Sequence, residues 1–511
     1  MIIIEMNELD KTLLVYEWEG FIFPIVLSSI KCENKYYNIP EDSDIKIWRN
    51  NEFKLQGIII GIVTSVKDLD YSYKGQKLRN GDFISGETIY GSNNSLEFLL
   101  KDCVIGKINY LPICIQNPTK IRFEAELILN GITTLTKNDE KIGTRVDWYI
   151  CSLPNLVFPR TTIRKRNKNK YKLRDSIDYI EEDTDFNDII NTSSSRDFLL
   201  IEFSDYKIII QKISNEYIPD WTEAIAIEYR NDISKMPDNR IKDGLEELMS
   251  FIFGNHLLKI GSTIYNNENI PIQFIAQNPW GNNIVGKCST VCLPPIAMNN
   301  SNDWFSIEQK INLLINEFMS KRESYSLSDC IWKLWIGRDQ SLGTNLPILA
   351  SGLESMIDSY ISENKLVKKY NKKDKKEYKE LISKELESLS KKLKSYQFGN
   401  FVINKLNNPF NLGIGEKMKI FFEKIEFDLS NSIENEALQA RNKMAHNSFN
   451  EIETEQILEI KRLSNAYLTL VHRVILKLLG YEDGYVDYYT KGHPTVKISE
   501  NISKGSNSES S

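Results

Sequence analysis

The stretch Ile452 to Leu479, IETEQILEIKRLSNAYLTLVHRVILKLL, decides how the second half of this chain folds. Its apolar residues Ile457, Ile460, Leu463, Tyr467, Leu470, Val474 and Leu478 recur at steps of three and four, the spacing that lines one face of an α-helix. Asn450, followed three residues later by Glu453, forms a reasonable N-cap pair, so a short turn separates this helix from the one before it. Upstream, the same period predicts helices over Ile307–Arg322, Leu327–Gly337, Leu346–Ser362, Lys375–Leu393, Glu416–Phe427 and Asn431–His446. Such a succession makes a helical bundle.

Before about residue 298 the period changes. Short β-type runs, Leu13–Trp18, Asp44–Trp48, Gly57–Val66, Ile121–Leu129, Phe198–Phe203, Lys207–Ile213 and Glu223–Tyr229, alternate with turn signals such as Asn80-Gly81 and Asn130-Gly131. They predict a sandwich or barrel-like assembly whose strand order cannot be read. Lys242–Leu258 has helical spacing at Leu245, Leu248, Met249, Ile252 and Phe253, and Ile270–Ala276 returns to strand, so a helix is expected to pack on the sheet. Pro294-Pro295 and the polar stretch Asn299–Asp303 mark a boundary, because proline stops both helix and ladder. The fold class expected is α+β: a mostly β region over 1–298, as one domain or two, then an all-α domain over 299–497 and a disordered tail over 498–511.

A chain of 511 residues exceeds one hydrophobic core, and 41% hydrophobic with 26% charged residues is an ordinary globular composition. The net charge of -6 gives no global attraction to nucleic acid, so any polyanion site must come from local basic clusters. Seven scattered cysteines are too sparse for a disulfide scaffold and fit a reducing cytoplasm. Met1–Glu5 lacks a basic n-region and Gly57–Val63 is far shorter than a membrane span, so a cytoplasmic protein with no membrane partner is expected. Cys288 and Cys292 have half the spacing of a metal site but no second pair completes it, and Gly413-Ile414-Gly415-Glu416-Lys417 lacks the spacing of a phosphate loop. No metal or cofactor is expected.

Two segments are strongly basic. Arg160–Arg174 carries eight basic residues and no acid, and Asp175–Asp188 then supplies seven acids. Either the two blocks compensate each other in a solvated loop or the first is a nucleic-acid arm. Lys365–Lys379 has eight lysines against Asp374 and Glu377. It is either a solvated face or an RNA-guiding patch through Lys368, Lys369 and Lys372.

Chemistry concentrates at Arg441-Asn442-Lys443-Met444-Ala445-His446. Ile433, Ala437, Ala440 and Met444 define the buried stripe of their helix, and Asn442 and His446 fall one turn apart on the opposite side, with Arg441 flanking. Metal-free RNA cleavage needs a base for the 2′-hydroxyl, an acid for the leaving 5′-oxygen and positive charge on the phosphorane-like transition state. Histidine titrates near neutrality and suits either proton-transfer role; arginine offers fixed donors to phosphate oxygens. If His446 lies in the last turn, the helix C-terminus favours its protonated form.

This pattern, Arg441-Asn442-x-x-x-His446, resembles the motif of the HEPN superfamily, and the wider layout resembles the ApeA-like branch of bacterial antiphage defence. Leu346–Ile357 looks like the early HEPN helix with its Leu353-Glu354 pair, Leu478–Tyr481 with Asp483–Tyr485 looks like the domain end, and Gly57–Leu99 is similar less specifically. The resemblance implies a metal-independent endoribonuclease of abortive infection, with Arg441, Asn442 and His446 catalytic, Glu354 supporting them and Lys443 touching RNA. It also implies a homodimer whose two motifs share one cleft, and an N-terminal region that senses a phage-derived or nucleotide trigger. The alternative is a non-catalytic nucleotide- or protein-binding receptor that keeps the bundle for dimerisation. His256, His472 and His493 read as structural.

Overall fold

A computed structural model describes residues 25–32, 39–40, 42–64, 87–93, 96–112, 120–135, 141–166, 170–174, 192–213, 218, 220–231, 234–267, 271–298, 305–367, 372–394, 396, 398–407, 412–429, 432–446 and 454–498. For 32, 87, 112, 161–166, 170–174, 192–195, 372, 374, 375, 401, 405, 407, 432, 441–446 and 454 it describes the backbone alone. The expected strand at Leu13–Trp18, the Asn80-Gly81 turn, the Asn450 cap and the tail from 501 lie outside the described residues. The chain divides into two compact units, residues 1–294 with 298–315, and 295–297 with 316–511.

The first unit is β-rich. Strands β1 (Ile25–Cys32), β2 (Asp44–Arg49), β3 (Leu55–Val63), β4 (Glu87–Ser92), β5 (Glu97–Pro112) and β6 (Ile121–Ile128) close into a barrel in the order β5-β4-β1-β2-β3-β6, with β6 pairing back to β5. Period-two burial drives this: on β3, Leu55, Gly57, Ile59, Gly61 and Val63 are buried and the residues between them are not. Leu27, Ile45, Ile59, Phe123 and Leu127 fill the interior. A Cβ on Gly61 would meet the Phe123 ring at 2.5 Å, so only glycine lets that ring lie against the strand.

Closure depends on the length of β5. Its first half pairs with β4 and β7 (Gly131–Thr134), and from Val104 onward it pairs with β6, with a register shift between Ile105 and Ile108. From β7 the sheet continues through β15 (Pro271–Gln277), β14 (Leu258–Asn266), β8 (Ile142–Cys151), β13 (Glu223–Arg230), β12 (Tyr206–Lys212), β11 (Thr192–Phe203), β9 (Arg160–Arg166) and β10 (Lys170–Arg174). Helix α1 (Asn239–Phe253) carries Leu245, Leu248, Met249 and Ile252 fully buried, and a shorter α2 covers Ile284–Ser289. The expected helix through Leu258 stops early: Gly254 takes the left-handed C-cap at φ 64°, and Leu258 opens β14. The basic segment expected as a loop or arm is instead largely strand, because β9 and β10 pair with each other from Thr162 to Arg174.

Arg49, buried on β2, donates to the carbonyls of Phe53 (2.5 Å), Ile260 (2.6 Å) and Gln277 (3.0 Å) and so ties the barrel to β14 and β15. Arg49→Met is expected to cost on the order of 3 kcal/mol, since three carbonyls lose a charged donor. Urea unfolding of the full chain checks this; an unchanged midpoint would remove Arg49 as a tie.

Helix α3 (Ser306–Lys321) begins in this unit for a physical reason. Among the described residues, the edge of β11 beyond Phe198 on the β9 side has no strand partner, and α3 lies against it. The Glu308 carboxylate accepts from the Leu200 N–H (2.8 Å) and from Arg160 (2.7 and 2.9 Å), while Asn312 accepts from the Glu202 N–H (2.9 Å). The break expected near 298 is therefore not a single point: the first turns of α3 belong with the strands.

The second unit holds α4 (Leu327–Arg338), α5 (Asn345–Glu363), α6 (Lys372–Leu393), α7 (Gly399–Asn407), α8 (Ile414–Lys424), α9 (Ser432–His446) and α10 (Thr454–Leu478). Of these, only α7 had no counterpart in the periodic reading. Residues 295–297 join this unit because Ile296 bridges Tyr485, and the Val486 N–H donates to the Pro295 carbonyl, beside the small β16–β17 hairpin (Gly484–Val486, Thr495–Lys497). No helix among the described residues is long and apolar enough to cross a membrane.

Candidate active site

Helix α10 packs against α9, α5 and the β16 strand. Ile460, Leu463, Tyr467, Leu470, Val474 and Leu478 of the expected stripe are buried, whereas Ile457, near its start, is exposed. Gly480, at φ 70°, lets the chain turn off α10, with the Tyr481 N–H returning to the Leu476 carbonyl. Helices α5, α9 and α10 pack on one another.

Helix α9 is described as far as His446, and Arg441, Asn442 and Lys443 lie about one turn before the histidine on it. Their side chains, and that of Met444, lie outside the described residues. Upstream, Ala437 and Ala440 are buried and Ile433 is half-buried, as the stripe requires. Register then places Asn442 and His446 on the side of the helix continuous with exposed Gln439, and Arg441 two turns on from Glu434.

Glu434 is where local reading fell short. It is completely buried, and Nη1 of Arg473 on α10 donates to both its oxygens at 2.5 and 2.6 Å. The Arg473 guanidinium lies between the rings of Phe427 (4.6 Å) and Tyr485 (5.0 Å). This pair joins α9 to α10 about two turns before the motif. An acidic residue on the flank of the buried stripe was the available signal.

The remaining assigned residues scatter. Glu354 is half-buried on α5, between buried Leu353 and Met356, on a helix that packs against α9. Lys372 opens α6, which packs on α7 through a Tyr378 hydroxyl donating to the Leu406 carbonyl (2.9 Å), and Lys368 and Lys369 lie outside the described residues. His472 is buried beside Tyr488, and burial pulls its imidazole down to about 3, so it is a neutral packing group at physiological pH. Cys288 and Cys151 are buried free thiols pushed up by burial, Cys288 to about 11, which leaves them unreactive. No cluster of ligand-type side chains that could hold a metal occurs among the described residues.

A second ionisable cluster lies under α1 in the first unit. Buried Asp147 on β8 pairs with Arg145 and Lys259, each at 2.8 Å, and Tyr149 donates to Glu246 of α1 at 2.9 Å. Burial, opposed by Lys259 and the Tyr149 hydrogen bond and reinforced by Asp147 and Asp243, lifts the Glu246 carboxyl from 4.5 to about 7. A raised folded-state value means this group's contribution to stability is fully present below pH 4.5 and is lost as pH rises to about 7. The first unit should thus lose up to roughly 3 kcal/mol across that window, and Glu246→Gln should flatten the dependence. Urea midpoints from pH 4.5 to 8 test it; a wild-type slope that survives the substitution refutes the assignment.

Comparison of this chain with protein-family models, with curated proteins and with solved structures finds no match.

Proposed function

We propose that the helical unit is a HEPN-type, metal-independent endoribonuclease that works as a homodimer in the cytoplasm, in abortive-infection defence against phage. The observation that carries this reading is that Arg441-Asn442-x-x-x-His446 lies on α9, a helix joined to α10 by the buried Glu434–Arg473 pair. The motif's resemblance to the HEPN pattern supplies the chemistry.

In that chemistry the RNA 2′-oxygen attacks the adjacent phosphorus as a base removes its proton. The bond to the 5′-oxygen then breaks as an acid protonates the leaving group, giving a 2′,3′-cyclic phosphate and a 5′-hydroxyl. Arg441 neutralises the phosphorane-like oxygens, and Asn442 orients the phosphate or the imidazole. One histidine cannot be base and acid in a single step, so two copies of His446 facing one cleft divide the roles. Glu354 supports the site, Lys443 with Lys368, Lys369 and Lys372 holds the RNA backbone, and the β-rich unit senses the trigger.

Incubating purified protein with RNA in the presence of a chelator tests the reaction class. Products should end in 2′,3′-cyclic phosphate, and specific activity should fall on dilution through the dimer dissociation range. Products ending in 3′-hydroxyl, or cleavage abolished by the chelator, would overturn the proposal.

A further inference from the structure

The basic segment 160–174 acquires a pattern from strand pairing that its sequence does not display. β10 pairs with β9 so that Lys170, Lys172 and Arg174 lie opposite Arg166, Arg164 and Thr162, and β11 pairs on the other side with Ser193 opposite Arg164 and Ser195 opposite Thr162. Directly opposed residues share a face, and faces alternate along each strand. Arg164, Arg166, Lys170, Lys172 and Arg174 therefore fall on one face, with no acid and with three hydroxyl residues. Ile163, Leu173 and Tyr171 fall on the other, together with Lys165 and Arg196. Among the described residues β10 is the edge of the sheet, and the root of β9 is anchored by Arg160 on Glu308.

We propose that this edge ribbon of β9, β10 and the start of β11 binds duplex DNA through the face carrying Arg164, Arg166, Lys170, Lys172 and Arg174. Two cross-strand pairs, Arg164 with Lys172 and Arg166 with Lys170, set like charges directly opposite each other, an arrangement that destabilises a ribbon by itself and is relieved by a polyanion. Same-face positions repeat every ~6.7 Å along a strand and every ~4.8 Å across strands, so the five cations form a band roughly 14 Å long, dense enough to meet several phosphates. Thr162, Ser193 and Ser195 add hydroxyl donors of the kind that bond phosphate oxygens.

The composition of that face selects the partner. Its lack of an aromatic residue, with Tyr171 on the opposite face, argues against a single strand, which is held by base stacking. A β-ribbon enters the wide major groove of B-form DNA, whereas the deep, narrow groove of A-form RNA excludes it. A face of arginine, lysine and hydroxyl residues supplies phosphate contacts whatever the base sequence.

The test is titration of a fluorescent mixed-sequence DNA duplex of about two helical turns with the full-length protein, at several salt concentrations. Binding is read without cleavage, so it stands or falls separately from the ribonuclease proposal. Wild type should bind with a steep salt dependence. Arg164→Gln with Lys172→Gln should weaken binding at least ~10-fold and reduce the log–log salt slope by about 1.8, two charges at about 0.9 each. Arg164→Lys should bind as wild type does, and Lys165→Gln, which removes the same charge from the opposite face, should cost less than Arg164→Gln. No binding, equal losses for Lys165→Gln and Arg164→Gln, or tighter binding of an RNA duplex or a single strand would each overturn the proposal.

Discussion

His446→Ala should lower RNA cleavage by roughly 10²- to 10⁴-fold, the range a positioned general acid or base contributes. Arg441→Ala should cost about 10²- to 10³-fold, because it removes charge stabilisation from the transition state while leaving the proton-transfer groups in place. Both residues lie on α9 past the buried Ala437 and Ala440, and thermal melts of both proteins, expected close to wild type, check that the fold is kept. Single-turnover cleavage with excess enzyme, with RNA binding measured in parallel, separates lost chemistry from lost affinity. In cells, the same substitutions should relieve growth arrest and abolish phage restriction together. Wild-type cleavage retained by both variants would exclude the motif as the catalytic group and favour the receptor reading of the bundle.

The second large effect concerns stability. Glu434→Ala leaves the Arg473 charge buried between two aromatic rings with its carboxylate partner gone, and should destabilise the helical unit by roughly 3–5 kcal/mol. Arg473→Ala strands the completely buried Glu434 and should cost as much. Replacing both with methionine removes both buried charges at similar volume and should recover most of the loss, since a buried ion pair contributes little net stability over an apolar filling. Urea unfolding of the three variants, followed by helical signal, gives the coupling energy directly. Equal stability of Glu434→Ala and wild type would show that the pair does not hold α9. If the pair sets the motif's angle, the double methionine variant should stay folded and yet cleave RNA more slowly than wild type.

How much of this was legible in the residues follows from the range of the interactions involved. Helices α3, α4, α5, α6, α8, α9 and α10 were predictable because the spacing of three and four that buries one face is written within a few turns. The motif's place on α9 was legible for the same reason. Strands β2, β3, β6, β12 and β13 were visible as alternating or apolar runs, but nothing local says that β5 is shared between a barrel and an open sheet. Pairing partners lie tens of residues apart, and a one-residue shift exchanges faces, so register is a property of the assembled sheet.

The same distinction separates the two basic readings of 160–174. As a string of residues it is a charge run beside an acidic run; as β9 and β10 it has a cationic face and a mixed face. Arg441-Asn442-x-x-x-His446 and its helix were determined by the sequence alone, through a period of 3.6 residues that any neighbourhood would respect. The pairing of Glu434 with Arg473, the tie from Arg49 to β14 and β15, and the sorting of cations on the ribbon were decided only by tertiary structure. Each joins groups that local spacing leaves unrelated, and each becomes strong or costly only when folding removes those groups from water or sets them face to face.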